Sequence, residues 1–329
     1  MSRLYPFLVI PIFDERPWGV RDLRPVYTKV VNESIGESWL TWEDNRVANG
    51  PLAGQSLGEL AKTYQRDLVG LLACYNDRFP LLVKFLFPGD KLSVQVHPDD
   101  ERAQAKGKPC GKTECWYVLR AEPGAQVALG LKSGVTLDQF RQSIEENCAE
   151  ALLNWVDVYA GDLLYVAAGT VHTIGGGMVL VETQQTSDIT YRLYDYGRPR
   201  ELHIEDGLAA TKLQTNAGKV ARTPGDTSDL LVRSPFFQVE KIRLREPLHA
   251  EVTPDSPQVV VAVNGAGIVE SPGMEPISFA TGDAVVVPAS VSAYTIRPQW
   301  EVDLMRMSLP SGTVAEPRTE LAPSVAAKK

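Results

Sequence analysis

The sequence predicts a mainly β protein made of two related barrel units, with a few helices inserted in and around the first. Three observations lead there. Short β-branched and aromatic runs, punctuated by Gly, Pro and Asp, dominate the chain, as in "TECWYVLRA", "GMVLVETQQ" and "QVVVAVNGAGIVE", and this is the pattern of strands joined by hairpin turns. A segment near the middle recurs near the end. At 329 residues the chain is also longer than one ordinary core carries.

The recurrence sets "GDLLYVAAGTVHTI", from Gly161, over "GDAVVVPASVSAYTI", from Gly282. Both open on Gly-Asp, run through an apolar strand and reach a turn of small residues. The first copy keeps Gly169 and His172; the second keeps Pro288 but has Ser290 and Ala293 in the corresponding places. Two similar units therefore follow, of which only the first retains a possible metal ligand. The expected boundaries are residues 1–228 for a metal-binding unit with helical insertions, 229–312 for a degenerate second unit, and 313–329 for a loose Pro- and Ala-rich tail.

Helical periodicity is confined to a few stretches. "SLGELAKTYQRDLVGLLA" spaces Leu57, Leu60, Leu68 and Leu71 along one face, with Ser56 as N-cap. "TLDQFRQSIEENCAEALLNWV" does so through Leu137, Phe140, Ile144 and Cys148. "HPDDERAQAK" opens a short helix with its acidic residues in the first turn, where the helix dipole favours them.

Composition narrows the functional classes. Thirty-three Lys and Arg against 41 Asp and Glu give a net charge of −8, which excludes a general nucleic-acid surface and leaves room only for a local basic pocket. No apolar run approaches the ~20 residues of a membrane helix, and the N-terminus lacks the features of a signal peptide. The four cysteines form no C-x-x-C pair, so they are expected reduced and buried in a cytoplasmic protein.

With only four histidines, any metal or acid–base site draws on a short list. If Leu92–His97 is a strand, alternation puts Leu92, Val94 and Val96 on one face and Ser93, Gln95 and His97 on the other. Polar groups inside a barrel are costly unless they are satisfied or bind something. Lys112 and Glu114 share a face with Trp116, and His172 follows the strand "DLLYV". Two imidazoles, a carboxylate and an amide form a set suited to Zn²⁺ or another divalent first-row metal. His203, at an expected helix start, and His249, with no nearby partner, are read as structural. Downstream, Arg192 lies on the strand "TYRLY", Arg198 lies beyond its turn, and Lys84 lies in the strand preceding Gln95 and His97. Cationic residues on an interior face need an anionic partner. Glu182 is one such partner; a substrate phosphate is the other.

The segments "PLLVKFLFPGDKLSVQVHPDD", "GKTECWYVL", "GESW" and "GDLLYVAAGTVHTIGGGMVLVETQQTSDITYRLYDYGR" together resemble the type I mannose-6-phosphate isomerase family in its short bacterial form, from about Trp18 to Leu208 in order and spacing. The resemblance implies two cupin (jelly-roll) units and one metal per chain, usually zinc. The family's ligands fall on Gln95, His97, Glu114 and His172, its active-site arginine on Arg192, and its site lysines on Lys84 and Lys112.

The implied reaction is the reversible conversion of mannose 6-phosphate to fructose 6-phosphate through a cis-enediol. It needs a base to move a proton between C2 and C1 and a cation to polarise the carbonyl. Lys112, Lys84 and Arg198 are candidates for the phosphate or for charge near the enediol, with Ser93 and Glu182 also at the substrate. Arg192 stays protonated and is assigned an orienting role. The base is left open among Glu182, a metal-bound water and a lysine of lowered pKa. Two other classes compete: a cupin Fe(II) oxygenase, which two histidines and a carboxylate also suit, and a non-enzymatic sugar-phosphate-binding cupin. The expected partner is a phosphorylated hexose, and the expected assembly is a monomer or small homo-oligomer.

Overall fold

In the computed structural model, which describes residues 3–28, 30–225 and 228–320, the chain forms two compact units, and neither is a continuous stretch. One comprises Met1–Glu15, Arg21–Phe85 and Arg222–Glu316; the other comprises Arg16–Val20, Leu86–Ala221 and Pro317–Lys329. Linear boundaries at 228 and 312 take no account of the N-terminal quarter. That quarter lies largely with the C-terminal barrel, where the strand Phe7–Val9 pairs antiparallel with Ala284–Val287.

The unit containing Leu86–Ala221 is a jelly roll. One sheet runs in the order Tyr191–Tyr194, Val94–Val96, His172–Ile174, Gln126–Leu131, Leu153–Asp157, every neighbour antiparallel. Facing it are Gly218–Lys219, Leu163–Val166, Glu114–Ala121 and Met178–Gln185. Side chains of both sheets meet in one core: Trp116, Val118, Leu164 and Leu180 from one, Val127, Leu129, Val156 and Ile174 from the other.

The first sheet is apolar on its outer face too. Val94, Val96, Ala128 and Leu193 there pack with Phe140 and Ile144 of the helix Leu137–Glu145 and with Leu208 of the helix Ile204–Ala210. These two helices bury the outer face as the facing sheet buries the inner one, and strand alternation leaves Gln95 pointing inward. The regular strand is shorter than Leu92–His97: Leu92 belongs to the inner core, and its N–H donates to Ile174 O at 2.9 Å.

The helix Leu137–Glu145 is closed by a capping box between Thr136 and Gln139 and stops before Asn147, which takes a φ of 56°. Cys148 therefore lies beyond it and is exposed. Asp99 caps the short helix Asp100–Ala105. Residues near the C-terminus are tied down: Glu320 bridges Lys219, and Asn216 donates to Pro317 O. The expected loose tail is thus anchored at its start; residues 321–329 lie outside the described residues.

The other unit pairs a six-stranded sheet (Phe7–Val9, Ala284–Val287, Gln258–Asn264, Val302–Ser308, Gln238–Leu244, Ser228–Arg233) with a four-stranded one (Leu248–Glu251, Ala293–Pro298, Ala266–Glu270, Ile277–Ala280) over a Val- and Ile-rich core. The helix expected from Ser56 onward sits here and not in the metal-binding unit. Its Ser56–Glu59 capping box is present, but it ends at Tyr64. Gln65, at φ 46°, breaks the periodicity, and a second turn, Arg66–Val69, follows. The break lets Leu71 N–H and Leu72 N–H reach Pro254 O and Asp255 O at 3.0 and 2.9 Å, which leaves Leu71 exposed.

The repeat read from sequence is a repeat in three dimensions. Gly161 and Gly282 both adopt φ 94°. Asp162 Oδ2 accepts from Tyr159 N–H at 2.9 Å, and Asp283 Oδ2 accepts from Ala280 N–H at 2.8 Å. Seven residues into each copy's strand and turn, Thr170 N–H donates to Ala167 O and Val291 N–H to Pro288 O. Ala293 starts a strand in the second copy as His172 does in the first.

Candidate metal centre

Three strands side by side place the polar residues. Gln95, in the middle strand, is in register with His172 on one side and Arg192 on the other. His97 follows that strand, held where its carbonyl accepts from Gly169 N–H at 2.8 Å. Glu114 comes from the facing sheet, at the first position of Glu114–Ala121. The cluster therefore joins the two sheets of the jelly roll at its interior. His97, Glu114 and His172 are each at most 1% exposed, and one ligand atom from each lies within 4.8 Å of the others.

The second nitrogen of each imidazole fixes the ring. His97 Nδ1 sits 2.9 Å from Ile189 O, and His172 Nδ1 sits 2.9 Å from Thr170 O. A carbonyl only accepts, so Nδ1 carries the proton in both rings and Nε2 turns a lone pair inward. These lone pairs approach Glu114 at 3.5 Å from His97 and 3.4 Å from His172. Burial pushes the His172 pKa down from 6.5 to about 3, and the Lys112 ammonium adds to the effect, so the ring is neutral near pH 7. Two imidazole nitrogens and a carboxylate therefore converge in a dry interior, where nitrogen and oxygen lone pairs gathered this closely favour a cation. The donor set thus fits a divalent metal with nitrogen and oxygen preference.

Lys112 contributes positive charge at the edge of this cluster. Its Nζ lies 2.9 Å from Glu114 Oε2 and 3.1 Å from His97 Nε2. Gln95 approaches His172 Nε2 through its amide nitrogen at 3.2 Å, while its Oε1 accepts from Ser93 Oγ at 3.4 Å. Turning the amide about its last bond presents Oε1 to the centre instead. Cys115, next to Glu114, takes no part: strand alternation turns it to the other face, and burial pushes its thiol well above 9.

Glu182 lies directly across the sheet from Trp116, whose Nε1–H donates to Glu182 Oε1 at 3.2 Å. Arg192 donates from Nη1 to Glu201 O at 2.8 Å; burial first, then Arg200, pushes its guanidinium below the ordinary value. Arg198 donates from Nη2 to Lys91 O at 2.6 Å. Lys84 belongs to the other compact unit. There its Nζ pairs with Glu37 at 3.3 Å and lies 4.2 Å over the Trp39 ring, while Trp39 Nε1–H donates to Glu37 at 2.7 Å. The "GESW" segment, unremarkable by its pattern alone, is thus the partner of Lys84.

His203 stands at the N-cap of Ile204–Ala210, and His249 is exposed beside Thr295, both outside the cluster. A further buried polar residue, not singled out by the sequence pattern, faces the cluster. Gln184 is fully buried and directly opposite Glu114. Period-two alternation in "MVLVETQQ" places it on the same face as Glu182.

Of the four cysteines, all free, Cys110 and Cys115 are buried, whereas Cys74 and Cys148 are exposed, contrary to the expectation that all are buried. Among the described residues no helix is long and apolar enough to cross a membrane.

Residues 24–145 match the family model "Phosphomannose isomerase type I, catalytic domain". A mannose-6-phosphate isomerase of Streptococcus mutans is 36% identical over 296 residues, covering 84% of this chain and 90% of that protein. The mannose-6-phosphate isomerase ManA of Bacillus subtilis is 34% identical over 307 residues, covering 88% and 95%. The crystal structure of a Bacillus subtilis mannose 6-phosphate isomerase superposes with a TM-score of 0.81 at 29% identity, over 92% of this chain and 99% of that one.

Proposed function

The chain belongs to the type I mannose-6-phosphate isomerase family, and on that premise we propose that it interconverts mannose 6-phosphate and fructose 6-phosphate at the His97–Glu114–His172 centre. The observation that carries this is the convergence of those three buried donors within 4.8 Å in a chain so similar to those isomerases. The metal is zinc, one per chain, held by the two Nε2 atoms and Glu114, with Gln95 as fourth ligand. A divalent cation held there supplies charge that polarises the sugar carbonyl and stabilises the enediolate oxygens.

The remaining work falls to the chain's own side chains. Lys112, buried beside Glu114 and His97, holds positive charge next to the developing oxyanion. Glu182 is able to take the proton from C2 and return it to C1, and the Lys112 ammonium is able to donate to the carbonyl oxygen. Arg192, always protonated, orients the substrate and stabilises its charge. Ser93 and Arg198 bind the hydroxyls and the phosphate. The metal-binding face offers a nearly complete protein donor set once Gln95 turns, which leaves fewer open positions than an Fe(II) oxygenase uses. The same reading assigns the enzyme to the cytoplasm, as a monomer or small homo-oligomer acting on a phosphorylated hexose.

A coupled isomerase assay across mannose, glucose and fructose phosphates, with and without chelator, tests the proposal together with metal analysis. About one metal per chain and chelator-sensitive turnover of mannose 6-phosphate are expected, and His97→Ala should abolish both. Full activity in the metal-free protein would overturn the metal's role. Tight binding of mannose 6-phosphate without turnover would overturn the isomerase assignment.

A further inference from the structure

After the strand Tyr191–Tyr194 the chain makes a four-residue turn, Asp195–Arg198, closed by Arg198 N–H donating to Asp195 O at 3.0 Å. Tyr196 and Gly197 at its centre have φ of 55° and 78°, the type I′ pattern. Glycine adopts that region freely; tyrosine does so only where its surroundings hold it there.

What holds this turn is largely one carboxylate. Asp195 is 2% exposed. Its two oxygens accept from Arg200 Nε and Nη2 at 2.7 Å each, a bidentate pair. Its Oδ1 also lies 3.2 Å from Arg198 Nε.

Arg198 is thereby fixed on two of its three nitrogens: Nε also donates to Asp195 O at 3.1 Å, and Nη2 donates to Lys91 O at 2.6 Å. Its plane lies against the Tyr196 ring, 5.4 Å from the centroid. The third nitrogen, Nη1, is buried and has no acceptor among the described residues. Arg192 Nε, on the preceding strand, is in the same condition. Arg16, Arg198 and Arg200 all act on the Arg192 guanidinium, against the single opposing charge of Asp195. An acidic chain has here gathered an excess of guanidinium charge with N–H groups left over. Buried donors without acceptors are costly, and a phosphate dianion supplies the acceptors.

We infer that Asp195 is a positioning residue for the substrate phosphate: from the turn it pairs with both Arg198 and Arg200 and so fixes the direction in which Arg198 offers its free N–H groups. Asp195 itself touches no substrate. Without its charge the guanidiniums repel one another, and Arg198 loses the anchor at Nε. This rests on the assignment of Arg198 to the phosphate made above.

The test compares wild type with Asp195→Asn, which keeps the shape and removes the charge, and with Arg200→Gln, which removes the bidentate pair and leaves Asp195 and Arg198 in place. The readouts are KM and kcat for mannose 6-phosphate, the Kd of inorganic phosphate by calorimetry on the metal-loaded protein, and metal content. In Asp195→Asn, KM and the phosphate Kd should both rise about tenfold, with kcat changed much less and metal content unchanged. Arg200→Gln should move KM and phosphate Kd in the same direction by a smaller factor. Should Asp195→Asn not fold, Arg200→Gln decides.

Unchanged or tightened phosphate binding in the folded variants overturns the inference, as does a fall in kcat with KM intact. A wild-type chain that fails to turn over mannose 6-phosphate would remove the functional assignment. A wild-type chain that turns it over, beside variants with wild-type phosphate affinity, would remove only the role of Asp195.

Discussion

Lys112 and Glu114, two positions apart in sequence, form a buried ion pair of 2.9 Å at the edge of the metal centre. Glu114 is thus shared between an ammonium and a metal position, and the two cations oppose each other electrostatically. Replacing Lys112 by Met should leave metal binding intact or tighter while lowering kcat by about 10²–10⁴, the usual contribution of a positioned proton-transfer group. Metal titration with a competing chelator, run beside the coupled assay, checks both halves. Loss of metal in Lys112→Met would show that the lysine is needed to build the centre.

Gln95 ranks below the three other donors. It reaches the centre only after its amide turns, and it now spends its nitrogen on His172. Gln95→Ala should weaken metal affinity by about tenfold, within the range seen for groups that support ligands, whereas His172→Ala should abolish binding. Equal losses in the two variants would make Gln95 a full ligand.

The two Gly-Asp turns predict different costs for one substitution. Gly161 and Gly282 share a φ of 94°, so alanine is strained at both by about 1–2 kcal/mol. A Cβ at Gly161 meets nothing within 4 Å, while at Gly282 it falls 2.6 Å from the Tyr27 ring. Gly282→Ala should therefore lower the unfolding free energy clearly more than Gly161→Ala, as read from denaturant midpoints. Equal effects would mean that the Tyr27 ring moves aside without cost.

Tyr27 gives a pH dependence. Burial raises its phenol well above the ordinary 10, and its hydroxyl is engaged with Ser38 Oγ at 2.8 Å and Gly282 O at 3.2 Å. The folded value exceeds the unfolded one, so its contribution is complete below pH 10. It is lost as the pH rises above 10, where only the unfolded chain ionises. Tyr27→Phe should flatten that part of the alkaline decline in stability; an unchanged slope between pH 9 and 11 would assign the decline to other groups.

The metal centre was legible in the sequence because its donors are rare and short-range rules place them. Alternation put Ser93, Gln95 and His97 on one face, and the repeat singled out His172. Gln184 was not legible, because one more amide in a run of polar residues carries no signal until the register sets it opposite Glu114. The division of the chain was not legible either: Phe7–Val9 pairs with a strand some 275 residues later, and no local pattern announces such a pairing. Nor did periodicity foresee the break at Gln65, beyond which Leu71 and Leu72 bond to Pro254 and Asp255. The Lys84 anchor was hidden for a related reason, since Glu37 and Trp39 are remote from it in sequence.

The matching Gly-Asp turns carry one more consequence. Each barrel closes this corner with the same backbone twist and the same carboxylate-to-amide bond, yet only the first leads on through its strand and turn to a buried histidine, His172. The corner is therefore architecture that forms whether or not a histidine follows it. The molecule contains its own internal control: whatever chelation does to the first barrel and not to the second is owed to the ion, and whatever both share is owed to the scaffold.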